Sequence, residues 1–276
     1  MNQTKVGVMQ KEMLPSTADV NQIKSYNQRA WDLSVLAENR WTVPVTSEQI
    51  GQARQGSINI VLTPKKVIPK SWLGDVQGKR VLALASGGGQ QAPILAAAGA
   101  QVTVLDLSSK QLAQDKKVAD REGLTLQLIQ GSADNMHELD DQSFDLIINP
   151  VSNCFFPSLK PVWEECARVS KPGASLLVGF NNPVAYCFDF EKANQGEFIM
   201  RYPLPYSDLA SLNEIEKRRF MRPECPLEFS HSLTDQLGGI MGSGFSLIDM
   251  YEDEFDTDEP INKFFPQFIC VNAKRV

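Results

Sequence analysis

The sequence predicts an α/β fold built on a mostly parallel sheet with helices on both faces. Two observations carry that expectation. Between Lys79 and Phe180, short apolar strands alternate with stretches of helical length, the pattern left by parallel strands and their crossover helices. The first of these strands runs straight into Gly87-Gly88-Gly89, a strand-to-helix turn made of glycines.

Before that region, residues 1 to about 75 are irregular in pattern. Ser16 and Thr17 are placed to cap a helix beginning near Ala18, with Ile23, Tyr26, Ala30 and Leu33 at helical spacing. Pro44 prevents 41–45 from continuing a helix, and Pro64 and Pro69 keep the chain extended up to Trp72. Residues 1–75 therefore read as a cap or lid on a domain that spans 76–276.

Within that domain, a strand is expected over 80–85 and an Ala-rich helix over 90–98, stopped by Gly99. A second strand covers 101–106. Ser108 caps a helix that runs to about Arg121 and ends at Gly123. Strands follow at 125–130 and 144–149. A helix over 161–169 is broken by Lys171-Pro172-Gly173 ahead of a strand over 174–180.

Residues 181–230 interrupt the alternation. Pro183, Pro203, Pro205, Pro223 and Pro226 mark an insertion with one helical piece over 206–219. A helix over 233–241, ended by Gly242, precedes two strands at 245–251 and 266–274. The acidic run between those strands, Glu252 to Glu259, is expected to be a solvated loop.

Composition narrows the function. The chain has 276 residues, 42% hydrophobic and 22% charged, which suits a buried core and excludes wholesale disorder. Its net charge is −6, and the basic runs Lys65-Lys66, Lys116-Lys117, Lys217-Arg218-Arg219 and Lys274-Arg275 are short and scattered. Nucleic acid is therefore not an expected partner. None of the five cysteines forms a C-x-x-C pair, and two histidines provide no zinc spacing, so no metal is expected and the odd thiol count suits a reducing cytoplasm. Residues 1–14 lack an apolar signal core, and no run of about 18 apolar residues suggests a membrane span. The oligomeric state leaves no mark in the sequence.

The glycine turn has a second part. Asp106 ends the second strand, 17 residues after Gly89. A carboxylate there can accept both hydroxyls of an adenosine ribose, so turn and carboxylate together form a nucleoside-binding device. Gly87-x-Gly89-x-x-Ala92 also satisfies the dinucleotide fingerprint. The loop alone leaves S-adenosylmethionine and a nicotinamide dinucleotide both open, and with them an NAD(P)-dependent oxidoreductase or a non-catalytic nucleoside-binding protein.

Beyond the loop, five segments occur in order: 81–91, Val104-Leu105-Asp106-Leu107-Ser108, Gly131-Ser132-Ala133-Asp134, 143–149, and Lys171-Pro172-Gly173-Ala174. In this succession the chain resembles the class I S-adenosylmethionine-dependent methyltransferases, especially the small-molecule group that includes ubiquinone-biosynthesis enzymes. The resemblance runs from about Lys79 to Phe180 and, more weakly, from Leu227 onward. It implies a Rossmann-like sheet closed by a C-terminal antiparallel hairpin, S-adenosylmethionine as cofactor, and a small-molecule methyl acceptor.

The resemblance also implies residue roles. Ala85, Gly87 and Gly89 would lie against the amino-acid moiety of the cofactor. Asp106 would hold the ribose hydroxyls, Leu107 would pack on the adenine, and Ala133 would offer the adenine a backbone N–H. Asp134 is placed to take over the adenine amino contact, and Asn149 to Val151 would line the gap between donor and acceptor. The sequence departs from the family at Ala83, Ala85 and Ser132, where the family carries an acidic residue, a glycine and an acidic residue.

For the acceptor side, His231 is the candidate general base, because its region often faces the acceptor in the related group. Tyr26, Trp31, Trp41, Phe155, Tyr202 and Phe229 are candidates for the acceptor pocket. His137 lies in a polar loop and is expected at the surface. Cys154 is expected to be a small buried residue, not a nucleophile.

Overall fold

The computed structural model describes residues 19–255 and 258–276. Ser16 and Thr17, expected as a helix cap, lie outside the described residues.

Strands β1 (Arg80–Leu84), β2 (Gln101–Asp106), β3 (Leu126–Gln130), β4 (Phe144–Asn149), β5 (Ser170–Asn181), β6 (Phe245–Asp253) and β7 (Phe268–Arg275) form one sheet in the order β3-β2-β1-β4-β5-β7-β6. The first five are parallel, and β7 inserts antiparallel between β5 and β6. The order reverses between β1 and β4, so a crevice opens at their carboxyl ends, where sheets of this kind bind ligands.

The helices are α1 (Val20–Leu36), α2 (Ser47–Arg54), α3 (Gln91–Ala97), α4 (Ser109–Glu122), α5 (Lys160–Val169) and α6 (Glu214–Phe220), with shorter turns between them. Asp19 caps α1 by accepting from the amides of Asn21 and Gln22. Ser108 caps α4 through the amide of Gln111, and Gly123 closes it in the left-handed conformation.

Strand alternation divides the core into two layers. Val81 and Ala83 of β1 face a cluster with Ile50 of α2, Leu95 of α3 and Val118 of α4. Leu82 and Leu84 face the other way, toward Val162, Trp163 and Cys166 of α5. The N-terminal segment enters this core as well: Ile60, Leu62, Ile68, Trp72 and Val76 are buried in the first layer. Its stretch near Leu62 crosses β5 so closely that a Cβ on Gly179 would overlap the Leu62 carbonyl.

Helix α1 packs on the insertion. Ile23, Tyr26 and Ala30 cluster with Leu209, Met221, Leu227 and Phe229. Asn27 clasps the two segments: its Nδ2 donates to the carbonyls of Phe155 (3.0 Å) and Leu227 (3.3 Å), and its Oδ1 accepts from the amide of Leu227 at 2.7 Å.

Four local expectations need correction. Strand β5 begins at Ser170, ahead of Lys171-Pro172-Gly173, because Ser170 already pairs with Phe144 before a register shift. The helix expected over 206–219 is divided into Asp208–Ser211 and α6, since Asn213 makes a new capping box with Glu216. The helix expected over 233–241 contains a π turn, Thr234–Gly238, where Trp163 Nε1 donates to the Asp235 carbonyl at 3.0 Å. The acidic run is partly structural: buried Asp253 accepts from the amides of Lys65 (3.0 Å) and Lys66 (2.9 Å). Among the described residues, no helix is long and apolar enough to cross a membrane.

Candidate active site

The crevice at the carboxyl ends of β1, β2 and β4 contains a cavity of about 270 Å³. Asp106 anchors one end. Its Oδ2 accepts from the Gly87 amide and its Oδ1 from the Ser108 amide, each at 2.9 Å. Burial pushes its carboxyl up to about 6, against the lowering effect of those two amides. The carboxylate thus joins the glycine turn after β1 to the start of α4 while still lining the cavity.

Gly87 must be glycine here: a Cβ would lie 2.6 Å from Gln111 Cβ and 2.9 Å from Asp106 Oδ2. Gly88 takes a φ of +111° and donates its amide to Asp115 Oδ2 at 3.0 Å. Asp115 is fully buried in α4, and burial pushes its carboxyl up to about 8. Its other oxygen, Oδ1, has no partner. The outer side of the loop is held by the N-terminal segment: Val45 donates to the Gly89 carbonyl at 2.9 Å, and Gln90 Nε2 donates to the Val43 carbonyl at 3.0 Å.

The roof and far wall come from distant segments. Lys24, Asn27 and Trp31 of α1, the stretch Val61 to Pro64, and Phe155, Phe156, Phe255 and Phe268 all line the cavity. Lys24 Nζ pairs with Asp134 Oδ1 at 2.7 Å, and the Ser132 hydroxyl donates to the same oxygen at 2.6 Å. Gln111 Oε1 and Asn181 Oδ1 are buried acceptors of cavity-lining residues and have no partner. A cofactor with ribose hydroxyls and an ammonium group suits this donor-seeking set: Asp106 for the hydroxyls and Gln111 Oε1 beside the glycine loop.

Of the residues singled out from the sequence, Ala85, Gly87, Asp106, Leu107, Ala133, Asp134, Val151, Trp31, Trp41 and Phe155 line the cavity. Gly89, Asn149, His231, Tyr26, Tyr202 and Phe229 do not. Gly89 lies behind the loop, where its φ is +73° and a Cβ would be 2.9 Å from the Gln114 carbonyl. Asn149 is buried and ties the ends of β4 and β1 together, donating to the Leu84 carbonyl at 2.9 Å.

His231 Nε2 lies 3.1 Å from the Asn153 carbonyl and 2.9 Å from the Phe156 carbonyl. Two acceptors require this nitrogen to carry the proton, so it is a donor, and burial lowers the pKa of the ring. Expected as a base, His231 is held in the structure by the Asn153 and Phe156 carbonyls and is not among the residues that line the cavity. Tyr26 donates to the Arg222 carbonyl, Tyr202 packs among Tyr186 and Tyr206, and Phe229 packs against α1. None of these three aromatics is among the residues that line the cavity. Cys154 is buried, and burial raises its thiol well above the ordinary range.

A family model described as a methyltransferase domain matches residues 82–178, the stretch from β1 to β5 that builds this crevice. With that match, and with the relative described next, the chain belongs to the class I S-adenosylmethionine-dependent methyltransferases, and S-adenosylmethionine is its cofactor. It is 43% identical over 247 residues to the uncharacterized methyltransferase YbaJ of Bacillus subtilis, covering 89% of this chain and 97% of YbaJ. It is 28% identical over 112 residues to a ubiquinone biosynthesis O-methyltransferase of Maricaulis maris, covering 41% of this chain and 44% of that one.

Among solved structures, the fold matches the 1,6-didemethyltoxoflavin-N1-methyltransferase of Burkholderia thailandensis. The TM-score is 0.58 at 13% identity, covering 95% of this chain and 92% of that one. The relatives favour the methyltransferase over the nicotinamide reading of the glycine loop.

Sequence reasoning missed Asp115, Gln111, Glu228, Asn181 and the stretch Val61 to Pro64. The two carboxylates sit in patterns that read as solvated, and the 61–64 stretch has no motif. A charged residue on the buried side of α4, one turn from Gln111, was the single available signal for Asp115.

Proposed function

We propose that the enzyme methylates a small molecule held in this cavity. The observation that carries the reading is a shared cleft: Asp106 and the aromatic residues Trp31, Phe155 and Phe156 line one cavity, with residues of α1 and the insertion beside them. A cleft of this size suits a small acceptor beside the cofactor.

In this reading Asp106 accepts the ribose hydroxyls, and the backbone of Ala85 to Gly87 lies along the amino-acid moiety. Leu107 and Ala133 border the adenine. Asp134, already paired with Lys24, is available to an adenine amino group, and Val151 borders the reacting centre. Gly89 and Asn149 act from behind, fixing the loop and the end of β4. When bound, the cofactor supplies a methyl group activated by its sulfonium. The protein aligns the acceptor and excludes water, which together can contribute roughly 7–11 kcal/mol to lowering the barrier. Trp31, Trp41 and Phe155 form the apolar surface for that alignment. In this reading α1 and the insertion 181–230 serve as the cap, while 45–75 also packs into the sheet core.

The same reading makes nucleic acid an unfavoured acceptor, supported by the net charge of −6. It places the enzyme in the cytoplasm, supported by five free thiols. Calorimetric titration with S-adenosylhomocysteine, NAD and NADP tests its cofactor half: micromolar binding of the first alone is expected. Transfer of label from the cofactor to a low-molecular-mass extract, and not to RNA or protein, tests the acceptor half. Label appearing only in macromolecules would sink it.

A further inference from the structure

Among the described residues, no cation pairs with the carboxylate of Glu228. Glu228 belongs to the insertion and lines the main cavity on one side and a second cavity of about 260 Å³ on the other. The Tyr186 hydroxyl donates to its Oε2 at 2.7 Å, and Asn181 Nδ2 donates to that hydroxyl at 2.9 Å. Tyr186 Oη is the one protein donor to the side chain of Glu228 among the described residues, so Oε1 is left without a protein partner.

The ionisable groups around Glu228 are Asp208, Tyr186, Tyr206, Cys154 and Cys225, and none brings positive charge. Taking a carboxylate even partly out of water without a counter-ion is unfavourable. A half-buried acid that lines a cleft in this way is a candidate functional group. The same cavity carries Phe155, Phe156 and Phe268, with Asn181 as the polar neighbour linked to Glu228 through Tyr186.

We propose that Glu228 is a catalytic residue that meets the methyl acceptor, and that the acceptor is a flat, apolar molecule presenting one O–H or N–H donor to this carboxylate. The inference rests on the reading of the cavity as a small-molecule acceptor pocket. Glu228 takes the proton from the O–H or N–H. The electron pair released on that oxygen or nitrogen forms the new bond to the methyl carbon, and the carbon–sulfur bond breaks with its pair remaining on sulfur. The proton then leaves Glu228 for solvent. The products are methylated acceptor, S-adenosylhomocysteine and one proton.

Burial, with Asp208 adding to it, pushes Glu228 up to about 7, a suitable value for a base working near neutrality. Tyr186 is a positioning residue: its hydrogen bond fixes Oε2 and leaves Oε1 for the acceptor.

The test uses the enzyme saturated with S-adenosylhomocysteine and two matched probe pairs: phenol with anisole, and indole with 1-methylindole. In each pair one member has lost its donor to a methyl group. Binding is read by ligand-observed NMR at about pH 8, and calorimetry confirms that S-adenosylhomocysteine affinity is unchanged in E228Q.

The expected result is a donor member bound at least about tenfold tighter than its methylated partner, the lower end for a hydrogen bond to a charged group. In E228Q the ratio should fall to within about twofold. In the unmodified enzyme it should also fall as pH drops through about 7, where Glu228 becomes neutral; this arm needs no variant to fold. A donor preference absent from the unmodified enzyme, or one that survives both E228Q and low pH, overturns the role of Glu228. Binding of S-adenosylhomocysteine with no binding by any probe overturns the small-acceptor reading itself.

Discussion

Asp115 stands directly behind the glycine loop, with its Oδ2 3.0 Å from the Gly88 amide and its Oδ1 unpartnered in the core. Burial holds its carboxyl up to about 8, far above the ordinary value near 3.9. Between those values the folded protein keeps a proton that the unfolded chain releases, so stability falls as pH rises from about 4 to about 8. Asp115→Asn removes the titration and keeps an acceptor for Gly88. Denaturant midpoints at about pH 5 and pH 8 should therefore differ less in the variant than in the parent. An equal difference in both would mean that Asp115 does not carry the slope.

Asp106 gives a pH effect of the other kind. Ribose hydroxyls are held best by the ionised carboxylate, and the group ionises near 6. Affinity for S-adenosylhomocysteine should decline as pH is lowered through that value. Asp106→Ala should weaken binding at neutral pH by about 1.5–3 kcal/mol, the range for hydrogen bonds to a charged group. Calorimetry at a series of pH values reads both effects, and unchanged affinity in a folded variant would remove Asp106 from the site.

Gly87→Ala sets a methyl group against Gln111 Cβ and Asp106 Oδ2, at 2.6 and 2.9 Å before relaxation. Overpacking of this kind costs about 1–3 kcal/mol. Here it also displaces the carboxylate, so cofactor binding should suffer more than stability. Thermal unfolding and calorimetry on one preparation separate the two.

His231→Ala should behave in the opposite way. It removes a donor from the Asn153 and Phe156 carbonyls and should cost about 1–3 kcal/mol of stability. Cofactor affinity should be unaltered, and methyl transfer at a temperature where the variant is folded should remain. Loss of turnover with stability intact would return His231 to the chemistry.

Much of the sheet was legible because strand and helix periods are local properties. The apolar runs ending at Asp106 and Asn149 and the caps Ser108 and Gly123 each announce an element within a few residues. The pairing of the glycine turn with Asp106 was legible for the same reason, since Gly87 and Asp106 belong to adjacent strand ends and meet in the structure. The cap was not. Tyr26 and Phe229 carry the same apolar character as Trp31 and Phe155, and only the packing of α1 on the insertion decides which pair faces inward. His231 and Glu228 are three residues apart, and the sequence favours the histidine as the base. In the structure two carbonyls occupy the histidine, whereas the glutamate lines the cavity, and on that difference rests the proposal that the base is Glu228.

The clasp at Asn27 sets an order of events for the folding chain. Asn27 and Leu227 are separated by 200 residues, whereas the Asp106–Gly87 contact spans only 19. Closing a long loop requires more conformational entropy and slows the step that depends on it. The nucleoside end of the chamber can therefore assemble from neighbouring βα units while the acceptor end waits for two remote segments to find each other. Pulse-labelling hydrogen exchange during refolding should show the amides of Gly87 and Ser108 protected before that of Leu227. On that expectation the cleft is acquired in two instalments, the end that carries Asp106 ready before the end that Asn27 and Leu227 hold together.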